Sequence, residues 1–105
     1  MMQSNIRTSR ERLPHRRPSI TFDFDQGGQR FTCTYSEFAA GRLAEVFLQN
    51  HKPGSQSDMN ARDSAIVASL ALQHGCSLED LRHALLRDAS PLGAALQEIA
   101  GRCHG

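Results

Sequence analysis

"SITFDFDQGGQRFTCTY", residues 19–35, alternates apolar and polar side chains on both sides of a Gly-Gly pair, and its reading decides the fold. Such alternation marks strands with one face turned to a core, and two glycines between them mark a tight hairpin. With Gly27 and Gly28 as the loop, Phe24 stands opposite Phe31, Phe22 opposite Cys33 and Ile20 opposite Tyr35 on one face. The other face sets Asp25 against Arg30 and Thr21 against Thr34. A one-residue slip would put apolar side chains against polar ones, so this register is the one both faces favour. It predicts Phe22, Phe24 and Phe31 on the side facing the helices. Cys33 reads as a small core hydrophobe rather than a reactive thiol.

Downstream, "RLAEVFLQN" at 42–50 reads as a third strand, with Ala44, Val46 and Leu48 on one side and Leu43, Glu45 and Phe47 on the other. The partly apolar second face points to cover on both sides or to a subunit contact, and with the two sheet edges it makes a homodimer an expectation. From Asp58 the period becomes helical: Met59, Ile66, Val67, Leu70 and Ala71 recur at helix spacing, and His74-Gly75 supplies the stop. Ser77 with Asp80 opens a second helix carrying Leu78, Leu81, Leu85 and Leu86, and Ser90-Pro91 opens a third with Leu92, Leu96 and Ile99. The expected fold class is α+β: a three-stranded antiparallel β-meander followed by three helices packed on one face.

A chain of 105 residues makes one domain with a modest core. Residues 19–105 are expected to form it, and residues 1–18 a basic N-terminal arm. The arm holds Arg7, Arg10, Arg12, Arg16 and Arg17 against Glu11, a net +4, while the rest carries seven basic against ten acidic groups, a net −3. Its bland reading is a solvated, disordered leader; the alternative is a contact for phosphates, so that the chain would be a small nucleic-acid-associated protein. No run is long and apolar enough for a membrane span or a secretory signal, which leads us to expect a cytoplasmic protein. Three cysteines suit reduced thiols better than a disulfide framework, and no C-x-x-C knuckle accompanies them, so no metal and no cofactor are expected. Nucleophile elbows, Walker loops and dinucleotide fingerprints are missing, which weighs against an enzyme.

The stretch with the most chemistry is "NHKPGSQSD", residues 50–58, where a strand ends and a helix begins. Helix starts carry unpaired N–H groups and a partial positive charge, so Lys52, Gly54 and Ser55 make an anion or nucleotide cradle, the phosphate-bearing ligand being the expected small partner. The same residues also make an ordinary turn and N-cap. Asp58 competes for those N–H groups if it is the cap.

Joined together, "GRLAEVFLQNHKPGS" and "ARDSAIVASLALQHGCSLEDLRHAL" resemble the TSCPD domain, the small domain toward the C-terminus of adenosylcobalamin-dependent ribonucleotide reductases (ribonucleoside-diphosphate reductases), which also occurs in short stand-alone proteins. Gly41, Arg42, Ala44, Glu45 and Phe47 carry the resemblance in the strand, Lys52, Gly54 and Ser55 in the loop, and Leu70, Ala71, Leu72, Gly75 and Leu78 across the helix junction. It covers roughly residues 19–100. The string that names the family, Thr-Ser-Cys-Pro-Asp, is replaced by "SPLGAALQEIAGRCHG", so no role of that cysteine transfers to Cys103. Ribonucleotide reduction needs a radical cofactor and redox cysteines in a large barrel, which 105 residues cannot hold. The resemblance therefore implies an accessory or regulatory binding module, not catalytic on its own, whose partners are a ribonucleotide reductase or a phosphate-bearing nucleotide.

Overall fold

The alternation around the two glycines folds as expected into a hairpin of β1 (Ser19–Gln26) and β2 (Gln29–Glu37). The structure, a computed structural model, describes residues 9–13, 18–87 and 89–104. Gly27 and Gly28 turn the chain at φ 62° and 77°, the paired positive values whose twist matches that of the flanking strands. The register is the one the two faces demand: Phe24 pairs with Phe31, Phe22 with Cys33, Ile20 with Tyr35 and Asp25 with Arg30. A third strand, β3 (Leu43–Asn50), pairs antiparallel with β2, completing a sheet in the order β1-β2-β3.

Three helices follow, α1 (Gln56–Gln73), α2 (Leu78–Ala84) and α3 (Pro91–His104), and the molecule is α+β. Leu92, Ala95, Leu96 and Ile99 of α3 meet Phe22, Phe31, Cys33, Tyr35, Val46 and Leu48 in one core. Phe24 stacks on Phe31 with ring centroids 5.5 Å apart, yet it is only half-buried, because β1 is an edge strand and Phe24 lies near its open side. Cys33 is sealed from solvent, and burial, little offset by Arg102, pushes its thiol up to about 12, which makes it the inert core side chain expected.

The pattern misleads at three places. Leu43 and Ala44 are both buried although they are neighbours in a strand. A register shift at Ser36/Glu37, where Glu37 pairs with Leu43 and Ser36 with Glu45, re-aims the start of β3 so that the alternation does not hold there. Leu78 and Leu81 of α2, only seven residues long, and its C-cap Leu85 pack against the core, while Leu86, one residue further on, is exposed.

The largest departure is in α1. The apolar spacing locates the helix correctly, but Met59, Ile66, Val67 and Leu70 stand exposed, and the buried face is Ala61, Ala65, Ala68, Ser69, Leu72 and Gln73. Small side chains let the helix axis approach the sheet closely, and the polar ones have a task there. The Val46 N–H donates to Ser69 Oγ at 2.9 Å and the Ser69 hydroxyl donates to the Val46 carbonyl at 2.8 Å. Gln73 Nε2 donates to the Ala44 carbonyl at 3.1 Å, and Asp58 Oδ1 accepts the Asn50 N–H at 2.9 Å. These side chains satisfy the outer edge of β3, which would otherwise offer unpaired backbone groups to another strand. No described helix is long and apolar enough to cross a membrane.

Candidate functional site

The loop between β3 and α1 is built by its own hydrogen bonds. His51 N–H extends the strand pairing to the Arg30 carbonyl at 3.0 Å. Asn50 then fixes the turn from the strand side: its Oδ1 accepts the Lys52 N–H at 2.7 Å and its Nδ2 donates to Gln29 Oε1 at 2.7 Å. Ser55 N–H closes onto the Lys52 carbonyl at 3.2 Å, with Pro53 and Gly54 (φ 79°) between them. Proline followed by a residue at positive φ is the sequence of a type II turn, and it explains the glycine.

Ser55, rather than Asp58, is the N-cap: its Oγ accepts the Asp58 N–H at 3.1 Å. Asp58 lies one turn in and is buried, its Oδ1 on the Asn50 N–H and its Oδ2 on the Gly54 N–H at 3.0 Å, with Arg62 Nη1 at 3.7 Å. The Asn50 N–H first, then that of Gly54, hold its carboxyl below its ordinary 3.8, against the opposing effect of burial. Among the three residues expected to cradle an anion, Gly54 thus spends its N–H on Asp58. Ser55 Oγ acts as acceptor and keeps its own proton to donate. Lys52 is exposed, four residues ahead of the opening turn of α1, where the N–H groups of Gln56 and Ser57 precede the first intrahelical bonds.

Because the folded carboxyl is the stronger acid, Asp58 contributes stability that is full above pH 4 and is lost as pH falls through its folded value. Thermal melts between pH 7 and pH 2 are expected to show acid loss that Asp58→Asn reduces. At pH 7 the same variant is expected to melt lower by on the order of 5–10 °C, since one carboxylate oxygen that accepts a backbone N–H becomes an amide. Equal acid sensitivity in the two proteins would remove Asp58 from this role.

A second polar chain flanks the loop on the outer face of the sheet. The Thr32 hydroxyl donates to Asp23 Oδ1 at 2.6 Å and lies 2.8 Å from His51 Nε2, while Arg30 pairs with Asp25 at 3.1 Å. The sequence reading left His51 out; its tie to Thr32 follows from the strand register, which brings a loop residue over the hairpin. Of the arm arginines, Arg10 donates through Nε to Gln73 Oε1, Arg12 is exposed, and Arg7, Arg16 and Arg17 lie outside the described residues. The neighbouring Glu11 N–H donates to the Gln73 carbonyl at 2.8 Å and its carboxylate meets Arg42 at 2.6 Å, so this part of the arm lies on the C-terminal end of α1. Arg42, one of the residues behind the family resemblance, also stacks on Phe38 at 4.2 Å. Among the described residues, no three His, Cys, Asp or Glu side chains converge as a metal site requires.

A small α+β module with a helix-sealed sheet edge and a tightly bonded loop at the helix start is what fold and site define. Its sequence is similar to part of the vitamin B12-dependent ribonucleotide reductases: 36% identical over 75 residues to that of Agrobacterium fabrum, 33% over 75 residues to that of Bradyrhizobium diazoefficiens, and 38% over 73 residues to that of Streptomyces coelicolor. The match takes in 70–71% of this chain but only 6–8% of those enzymes, so it fits a domain of such a reductase. No family model matches the chain. No solved structure matches it.

Proposed function

We propose that the protein is an accessory or regulatory binding module of a B12-dependent ribonucleotide reductase, not catalytic on its own. It docks on that enzyme through the exposed apolar face of α1. The observation that carries this reading is the reversal of α1: Met59, Ile66, Val67 and Leu70 form one helical stripe in solvent, with Val67 66% exposed. Phe47, 45% exposed, stands on the outer side of β3, the strand that α1 seals. Helical spacing sets Asp63 within this stripe and Arg62 beside it, and an apolar patch carrying a few charges is what partner surfaces are made of. The similarity supplies the partner, since the corresponding region in the relatives sits within a chain many times longer. The TSCPD domain remains the family the resemblance suggests. Lys52, Gly54 and Ser55 are the proposed contact for a phosphate-bearing ligand, with the Lys52 ammonium as its charged member.

The test is capture of a purified B12-dependent reductase on the immobilised protein. Wild type is expected to bind at micromolar concentration, and Ile66→Glu with Val67→Glu is expected to weaken capture at least tenfold while the thermal melt stays where it was, both positions being exposed. Capture that ignores these substitutions would remove the face from the proposal, and no capture of the wild type would remove the function. Sedimentation at high micromolar concentration reads the competing use of the same stripe, a homodimer.

A further inference from the structure

The two edges of the sheet differ in how their backbone is satisfied. Along a strand the backbone groups face one side and the other in alternation. The Arg30 carbonyl accepts the His51 N–H at 3.0 Å, so the backbone of Arg30 faces β3, and that of Phe31, Cys33 and Tyr35 faces β1. Their partners there, Phe24, Phe22 and Ile20, spend their own groups on β2. Thr21, Asp23 and Asp25 therefore direct N–H and C=O off the outer side of β1, where, among the described residues, no strand pairs with them. On β3 the outward groups of Val46 and the Asn50 N–H are taken up by Ser69 and Asp58 of α1.

The features that blunt an edge are missing from β1. Its pairing with β2 runs from Ser19 to Gln26 without a shift, and "SITFDFDQ" contains no proline and no lysine. Asp25 pairs with Arg30 at 3.1 Å, while Asp23 accepts from Thr32 at 2.6 Å and has Arg30 at 4.0 Å, so both carboxylates are already compensated within the sheet. On the helix side this margin is incompletely roofed: Ile20 is 45% exposed and Phe24 half-buried.

Free backbone groups in a row call for another strand, and β1 fits its own copy. With the strands antiparallel about a two-fold axis at Phe22, Thr21 meets Asp23 and Ser19 meets Asp25, each outward-facing residue exchanging both its bonds. Hydroxyls then stand opposite carboxylates, and Ile20 lies against Phe24 of the second copy. Moving the axis to Asp23 sets that carboxylate against itself, and moving it to Thr21 leaves Asp25 beyond the end of the partner strand. We propose that the protein forms a symmetric dimer through β1 in this register, joining two three-stranded sheets into one. The α1 face lies at the opposite edge and stays open on each copy. The dimer thus holds two such faces, a consequence that rests on the docking reading, whereas the pairing does not.

The test is sedimentation equilibrium of the full chain without any reductase, with hydrogen exchange of the amides read by NMR at low and high concentration. Wild type is expected to dimerise at high micromolar concentration, and the Thr21, Asp23 and Asp25 amides to gain protection as it does. Thr21→Asp is expected to weaken the dimer roughly tenfold, since the axis places the new like-charge pair twice, and Thr21→Lys to tighten it. Thr21→Pro removes an N–H that faces outward, leaves the bonds to β2 intact, and is expected to give a monomer. Position 21 being exposed, each variant is expected to melt within a few degrees of wild type at dilutions where all are monomeric. A monomeric wild type, or a dimer that these substitutions leave unchanged, would overturn the proposal. So would equal weakening by aspartate and lysine, or a dimer dissolved instead by Ile66→Glu with Val67→Glu.

Discussion

Phe31→Ala is expected to destabilise the protein by about 3–5 kcal/mol, close to the largest loss a single side chain can produce here. Phe31 is 1% exposed, sits on the central strand, and has Phe24 stacked against it at 5.5 Å. No neighbour is placed to refill the space, because β2 is held on both sides by strands. Phe24→Ala, on the edge strand and half-buried, is expected to cost about 1–2 kcal/mol, since much of its ring already meets water. Urea denaturation of the two variants measures the contrast. Equal losses would mean that the hairpin does not bury its aromatics in the described order.

Ser69→Ala is the second substitution of large expected effect, about 2–4 kcal/mol for the removal of one oxygen. The hydroxyl serves both the N–H and the carbonyl of Val46, and the alanine leaves two buried backbone groups without partners. Ser64→Ala, five residues earlier on the same helix, removes only a bond to the Ala61 carbonyl and is expected to change stability by less than about 0.5 kcal/mol. The Ser69 variant is also expected to associate with rising concentration, as the loosened edge of β3 becomes open to a foreign strand. A chevron and a sedimentation series on the pair read the two effects separately. A Ser69 variant as stable as the Ser64 one would mean that water replaces the hydroxyl at no cost.

How much of this was legible beforehand depends on whether the signal is local. Strand pairing around Gly27 and Gly28, the caps at Ser77 and Ser90, and the stripe of Leu92, Leu96 and Ile99 rest on near neighbours in the chain, and the structure repeats them. The orientation of α1 does not. Hydrophobicity alone turns Ile66 and Leu70 inward, but the cost of an unsatisfied edge on β3 outweighs it, and that edge exists only once the sheet has formed. The loop shows the same division: Pro53-Gly54 announces a turn, whereas the burial of Asp58 under Asn50 depends on where the strand ends in space.

The strand order β1-β2-β3 and the placement of α1 along β3 mean that the first four elements each dock on the one made just before. A chain emerging from the ribosome can therefore assemble in step with synthesis as far as Gln73, by which point Ser69 and Gln73 already seal the β3 edge. The opposite exposure persists longer. Phe22, Phe31 and Cys33 wait for Leu96 and Ile99, so a nascent chain halted before Pro91 has a guarded margin and an unroofed interior. Cys33 keeps time for that event: a thiol reagent supplied during translation reacts with it until α3 settles, after which the sulfur is out of reach.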